Sequence, residues 1–312
     1  MAAPLVSVVI PAFNAGRTIG RALASVFAQD YRPLEVIVID DGSADETWAR
    51  IASYDDERLR PLRLGENRGV AAATNAGLAV AVGEFVAFLD ADDEWLPGKL
   101  KGQLDLLIRD AALSFVCSPW REVDLSGTIA LQPANMLAPC PCGKRAWRDL
   151  LARSFVLKST VIARASHLAH TGGFDQNLLI AEDQDMWIKL ALTGAVGWCP
   201  EALTVHHVTA GSLTHRHGLR QKDYVLPMIA KHVQAQRENL SPSEVRSIFG
   251  TRYGQIGRSL YASGRYLSGL YYLSRAIVLG IQPIGHLAYI LITLPPIRWL
   301  RQRTRPARRD ST

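Results

Sequence analysis

The chain has 312 residues, of which 48% are apolar and 21% charged, and a formal net charge of +6 at pH 7. Those proportions exclude a largely disordered protein, and the length suffices for a full hydrophobic core with a smaller second region. Four cysteines, Cys117, Cys140, Cys142 and Cys199, are too few for a disulfide framework, and Cys140-Pro141-Cys142 lacks the second pair that a zinc site would need.

The amino end enters the fold at once. Val6 to Pro11 reads as a strand, and no basic segment with a long apolar stretch precedes it, so a cytoplasmic protein is expected. Ala15 to Gln29 carries Ile19, Ala22, Leu23, Val26 and Phe27 at helical spacing, and Leu34 to Ile39 is a buried strand. A helix that Ser43 or Asp45 can cap runs to about Tyr54, followed by a short strand at Leu62 to Leu64, a helix over Gly69 to Val82 and a strand over Glu84 to Leu89. This alternation predicts an α/β fold whose sheet is mostly parallel, with right-handed crossovers. Beyond Pro97 the pattern predicts a helix to Arg109, strands at Leu113 to Ser118 and Ser159 to Ala163, and a helix at Glu182 to Thr193. From His217 only helices are expected: Gln221 to Glu238, Pro242 to Gly264 with Ser241 and Glu244 as a capping box, and Tyr266 to Leu279. The domains are accordingly 1–216 and a smaller all-helical region, 217–312.

Two carboxylate clusters stand directly behind buried strands: Asp40-Asp41-Gly42-Ser43 and Asp90-Ala91-Asp92-Asp93. Ligands of open α/β sheets collect at the carboxyl ends of strands, and charge there needs a cation or polar ligand to offset it. Two acidic strand ends therefore predict a cation and a polar substrate held side by side. Asp40 and Asp41 also suit a turn with Gly42 and a helix cap through Ser43, but a cap does not need two carboxylates.

The segments Val6 to Asn14, Val38 to Ser43, Phe88 to Asp93 and Gly172-Gly173-Phe174-Asp175-Gln176-Asn177, followed by Glu182-Asp183, resemble family 2 glycosyltransferases of the GT-A fold over roughly residues 5–215. The resemblance implies transfer of a sugar from a nucleoside diphosphate donor, most often a UDP-sugar, to a glycan or lipid-linked acceptor in cell-surface polysaccharide synthesis. It implies that Pro11, Ala12 and Phe13 line the base pocket, that Asp41 hydrogen-bonds the base, and that Asp90-Ala91-Asp92 is the Asp-X-Asp element. Asp90 and Ala91 then lie on the nucleotide sugar, and Asp92 ligates Mg²⁺ or Mn²⁺, a hard cation suited to carboxylates and phosphates. Arg68, with Asn67 and Gly69 at the start of a helix, could meet phosphate oxygens, although the arginine that many relatives carry before the next helical asparagine is Thr74 here. Asp183 is the implied general base, with Glu182 beside it. A single base implies one in-line displacement with inversion, since retention would want a second carboxylate on the opposite face.

His207 stands where relatives carry part of an aromatic-arginine pair before a Gly-Ser string, here Gly211-Ser212-Leu213-Thr214, which makes it a candidate acceptor or phosphate contact; His206, His215 and His217 lie near it with no acid among them in sequence. The chain lacks the Gln-X-X-Arg-Trp string and long spans of processive synthases, which favours addition of a single sugar. A nucleotidyltransferase should carry a glycine-rich basic loop after the first strand, which Pro11 to Gly16 does not supply. The non-enzyme alternative is a nucleotide- or glycan-binding scaffold on the same fold.

Ala276 to Leu294 is free of Asp, Glu, Lys and Arg, but Gln282, Pro283, Gly285 and His286 interrupt it, and Arg298, Arg301, Arg303, Arg305, Arg308 and Arg309 follow. An interfacial helix with a basic tail on anionic lipid, at the inner face of the cell membrane, fits this better than a span. No aromatic residues beyond Trp299 interleave the arginines, so nucleic acid is not the expected partner.

Overall fold

The computed structural model describes residues 3–132, 142–208 and 220–293. It divides into two compact units, Met1–Gly218 and Leu219–Thr312.

In the first unit a strand forms wherever an apolar run is long enough to be buried on both faces. Strands β1 (Val6–Ala12) and β2 (Leu34–Asp40) are buried along their whole length, as are β4 (Phe85–Phe88) and β6 (Leu113–Cys117). With β3 (Leu59–Arg63), β9 (Ile162–Arg164) and β10 (Ala195–Trp198) they form a sheet in the order β10-β6-β9-β4-β1-β2-β3. Every pairing is parallel except those of β9, which runs antiparallel to both β4 and β6.

Helices α1 (Ile19–Phe27), α2 (Thr47–Ala52), α3 (Val70–Val80) and α4 (Lys99–Arg109) connect the strands. α3 lies close to the sheet because Gly77 has no side chain: a Cβ there would stand 2.6 Å from Ile39 Cδ1 and 2.7 Å from Val9 Cγ1. Ser43 does not cap α2, and Glu46, the residue immediately before the helix, makes no side-chain cap bond. The first turn of α2 is fixed instead by Asp45 accepting the Thr47 amide at 3.0 Å, while Ser43 Oγ accepts the Asn14 amide at 2.9 Å.

A second sheet, β5-β11-β7-β8, combines β5 (Glu94–Trp95), β11 (Thr204–His207), β7 (Trp120–Val123) and β8 (Ile129–Gln132). It is not foreseen from sequence because these strands are two to four residues long. Helices α5 (Ala146–Ala152), α6 (Ala165–Leu168) and α7 (Glu182–Thr193) complete the unit. The expected strand at Ser159 begins later, because Lys158–Thr160 forms a tight helical turn before β9.

In the second unit, α8 (Gln221–Ala235) is followed by α9 (Pro242–Ala262), α10 (Tyr266–Val278) and α11 (Pro283–Thr293). The capping box before α9 forms as read: Ser241 Oγ accepts the Glu244 amide at 3.2 Å and Glu244 Oε2 accepts the Ser241 amide at 2.8 Å.

Candidate active site

Three adjacent strands deliver the acidic groups to one edge of the large sheet. In the order β4-β1-β2, the end of β1 lies between two carboxylate-bearing strand ends. Ala12 is in register with Asp40, and the Asp41 amide donates to the Ala12 carbonyl at 2.8 Å. Pro11 and Ala12 are buried, whereas Phe13 is 46% exposed and offers an aromatic face to solvent.

The two consecutive aspartates have separate tasks. Asp40 is fully buried, accepts the Ser43 amide at 3.1 Å and pairs with Arg63 at 3.2 Å. Asp41 reaches to the loop before α3 and accepts the Arg68 and Gly69 amides, both at 2.9 Å. Burial raises its pKa, against the lowering effect of those two amides. The approach of the two loops depends on Gly42, whose φ is 70° and whose Cβ would lie 2.5 Å from the Glu66 carbonyl carbon.

At the end of β4 the acids are again unlike one another. β9 runs back along β4, so the turn preceding β9 arrives where β4 ends. Lys158 in that turn is buried and pairs with Asp90 at 3.2 Å, and its Nζ donates to Thr74 Oγ1 at 3.3 Å. Ser159 Oγ accepts the Asp90 amide at 3.0 Å and donates to Asp93 Oδ2 at 2.5 Å. Asp93 is fully buried; its Oδ1 lies 2.9 Å from His206 Nδ1 and accepts the His207 amide at 3.3 Å. His207 Nε2 lies 3.3 Å from Glu94 Oε1. Pairing of β11 with β5 sets these contacts, joining Thr204 to Trp95 and Val205 to Glu94. Burial pulls the His206 pKa down, but its hydrogen bond to Asp93 and the charges of Asp93, Asp90 and Asp92 hold it up at about 9, so the imidazole is a cation at neutral pH.

Asp92 is partly exposed, and burial followed by the charges of Asp93 and Asp90 pushes its carboxyl up to about 6. A divalent cation would relieve that crowding. Among the described residues no group of three or more His, Cys, Asp or Glu is arranged to hold a metal ion. Asp92, crowded by Asp93 and Asp90, is the carboxylate that could take a hard cation, whose remaining ligands would have to come from phosphate oxygens and water.

The foot of α7 supplies the remaining carboxylates. Trp187 is fully buried and packs on Phe88 of β4, Phe115 of β6 and Phe174 at centroid distances of 5.6, 5.8 and 6.1 Å. Asp183 is one turn before Trp187 on the same face of the helix, and Phe88 is two residues before Asp90, so seating Trp187 carries Asp183 toward the β4 end. The helix is entered through Ala181 at φ 65°, a left-handed conformation rarely taken by alanine. Burial raises the pKa of both Glu182 and Asp183, each pushed further by neighbouring carboxylates: Asp183 acts on Glu182, and Asp90 acts on both; the Lys158 charge opposes the rise.

Residues 7–152 match the model of glycosyl transferase family 2. The chain is 31% identical over 242 residues to the succinoglycan biosynthesis protein ExoO of Rhizobium meliloti, covering 73% of this chain and 66% of ExoO. It is 38% identical over 106 residues to the Escherichia coli UDP-Glc:alpha-D-GlcNAc-diphosphoundecaprenol beta-1,3-glucosyltransferase WfgD, covering 34% of this chain and 42% of WfgD. The matched stretches thus span less than two thirds of either relative.

The chain belongs to glycosyl transferase family 2.

Its fold is the GT-A fold. S. aureus TarS 1-349 in complex with UDP-GlcNAc superposes with a TM-score of 0.64 at 21% identity, covering 87% of this chain and 81% of that one. The Pyrobaculum calidifontis mannosyltransferase PcManGT, in complex with GDP-Man and Mn2+, superposes with a TM-score of 0.64 at 22% identity, covering 96% and 83%.

In this family 2 chain, Pro11, Ala12, Phe13, Asp41, Asp90, Ala91 and Asp92 all sit on strand ends of β1, β2 and β4, and Glu182 and Asp183 open α7. Arg68 is exposed, and its backbone amide, on Asp41, is the group with a defined place. The sequence showed no acid among the histidines, whereas the fold places Asp93 on His206 and Glu94 on His207. His215, His217, Cys140 and the Gly211 to Thr214 string lie outside the described residues, and Cys142 is a free, exposed thiol. Lys158 was missed. Its signal is a lone lysine between the apolar runs Phe155-Val156-Leu157 and Val161-Ile162-Ala163, where a charge implies a buried partner.

Proposed function

We propose that this chain transfers a single sugar, with inversion, from a nucleoside diphosphate donor to a glycan or lipid-linked acceptor in polysaccharide synthesis. The observation that carries this reading is one sheet edge holding Asp41 and the Asp90 and Asp92 pair, with Asp183 of the first turn of α7 near enough to feel the Asp90 charge and its pKa raised by burial toward that of a working base. Support also comes from relatives and neighbours: WfgD is named for a UDP-Glc donor and a diphosphoundecaprenol-linked acceptor, and TarS was crystallised with UDP-GlcNAc. A UDP-sugar is accordingly the donor we propose first, with GDP-sugars next because PcManGT holds GDP-Man.

In this reading Phe13 and Asp41 receive the base, and Lys158 and His206 supply fixed positive charge near the acidic strand end. A bound Mg²⁺ or Mn²⁺, held by Asp92 and assisted by Asp90, would neutralise charge on the leaving diphosphate. Asp183 takes the proton of the acceptor hydroxyl as its oxygen attacks the anomeric carbon. The bond from that carbon to the diphosphate oxygen breaks, its electron pair leaves with the diphosphate, and the configuration inverts. Arg68, Glu182 and His207 are proposed to meet phosphate or acceptor. We place the protein at the inner face of the cell membrane, where a lipid-linked acceptor would be met.

The test is release of nucleoside diphosphate by the purified chain over a panel of UDP-, GDP- and dTDP-sugars, with Mg²⁺, Mn²⁺ or chelator. Release that requires the cation and falls at least about a hundredfold in Asp92→Asn is expected. Nucleotide binding without turnover on any donor or acceptor, unchanged by metal or by Asp92→Asn, would move the chain to the binding-scaffold class.

A further inference from the structure

We propose that the carboxyl-terminal unit docks on an anionic bilayer through an exposed apolar stripe on α10 and the start of α11, with its arginines on the lipid phosphates. The inference deepens the membrane-side placement proposed above and rests on it, though not on the transfer chemistry.

The first observation is geometric. Leu267, Leu270, Tyr271 and Val278 are exposed, and their spacing places them along one face of α10. Leu267 is 86% exposed and Val278 84%, and Ile284 of α11 is 82% exposed, with Leu287 one turn further on. Among the described residues this stripe stays exposed, although Tyr271 Oη accepts from Arg275 Nη1 at 3.1 Å within the same helix. α10 packs on α9 through its other face, where Gly269, Leu273 and Ala276 are buried. A Cβ on Gly257 would stand 2.8 Å from Leu273 Cγ, and one on Gly269 would stand 2.7 Å from Tyr261 Cβ, so the two helices are already in close contact there.

The second observation is charge. From Val245 to Arg309 the sequence has no Asp or Glu and eleven arginines. Such a segment repels a second copy of itself and attracts a surface of fixed negative charge. The apolar groups offered beside it are largely aliphatic, which suits acyl chains better than the stacking of nucleic-acid bases. No helix among the described residues is long and apolar enough to cross a membrane, so docking in the plane of the interface is the geometry available to them.

The purified full chain is sedimented with phosphatidylcholine vesicles, with and without phosphatidylglycerol, at low and high salt. Binding about tenfold or more tighter to the anionic vesicles is expected, weakened by salt. The double variant Leu267→Asp, Val278→Asp should bind about tenfold more weakly, while donor turnover stays unchanged. Equal binding to neutral vesicles, or unaltered binding by the double variant, would overturn the proposal. A concentration-dependent dimer abolished by the same substitutions, with no vesicle binding, would assign the stripe to a second copy and overturn it too. In the wild-type chain, turnover with no vesicle binding rejects only the docking surface, and vesicle binding with no turnover rejects only the transfer reading.

Discussion

Lys158 balances the acidic edge. Buried charge is tolerated when it is paired, and this lysine meets Asp90 at 3.2 Å while its field opposes the raised pKa of Glu182 and Asp183. Lys158→Met removes the partner and leaves the carboxylates to repel one another. We expect a loss of about 3 kcal/mol in urea-induced unfolding at neutral pH. The pH profile should move as well. As the proposed general base Asp183 must be ionised to act, so activity should be lost as pH falls through its raised pKa. Without the lysine charge that pKa rises further, and the acid limb of turnover should shift to higher pH; an unshifted limb would separate Lys158 from the base. The aspartates were legible in sequence because two carboxylates behind a buried run need an explanation. Their division of labour was not, because Asp40 differs from Asp41, and Asp92 from Asp93, only through what Arg63, Gly69 and His206 bring from elsewhere in the chain.

The strand-helix alternation through β4 could be read because each buried strand is a continuous apolar run and each helix a periodic one. The second sheet could not: β5 is only Glu94–Trp95, and its partner β11 is distant in sequence, so no local period announces either. The seating of α7 depends on a bridge of the same non-local kind. Asn75 Nδ2 donates to the Phe174 carbonyl at 2.9 Å, and the Phe174 amide donates to Asn75 Oδ1 at 2.8 Å, which holds the Phe174 ring against Trp187. Gly173 has φ 81°, and a Cβ there would lie 2.8 Å from Asn75 Oδ1. Gly173→Ala should therefore cost about 2–3 kcal/mol, from backbone strain plus the lost bridge. Turnover should fall about tenfold as α7 shifts. Gly172→Ala, at φ 73° with open space around its Cβ, should cost only about 1–2 kcal/mol and leave turnover near wild type. Equal losses in the two variants, read by thermal unfolding, would mean that the bridge does not seat the helix.

The charge of the protein is divided along its length. The acidic strand ends lie in Met1–Gly218, and the acid-free run of arginines lies in Leu219–Thr312. The expected domain boundary at 216/217 falls outside the described residues, and the division into two units comes two residues later, after Gly218. We propose that the first unit carries the chemistry and the second holds the protein at the lipid surface from which its acceptor is presented. In this proposal the chemistry turns on Asp183, and the measurement that bears on it is donor affinity by calorimetry beside transfer rate, in the wild type and in Asp183→Asn. A base that does not hold the donor predicts affinity within about threefold of wild type and a transfer rate lower by a factor of about 10² to 10⁴. Transfer at the wild-type rate by Asp183→Asn would contradict the account.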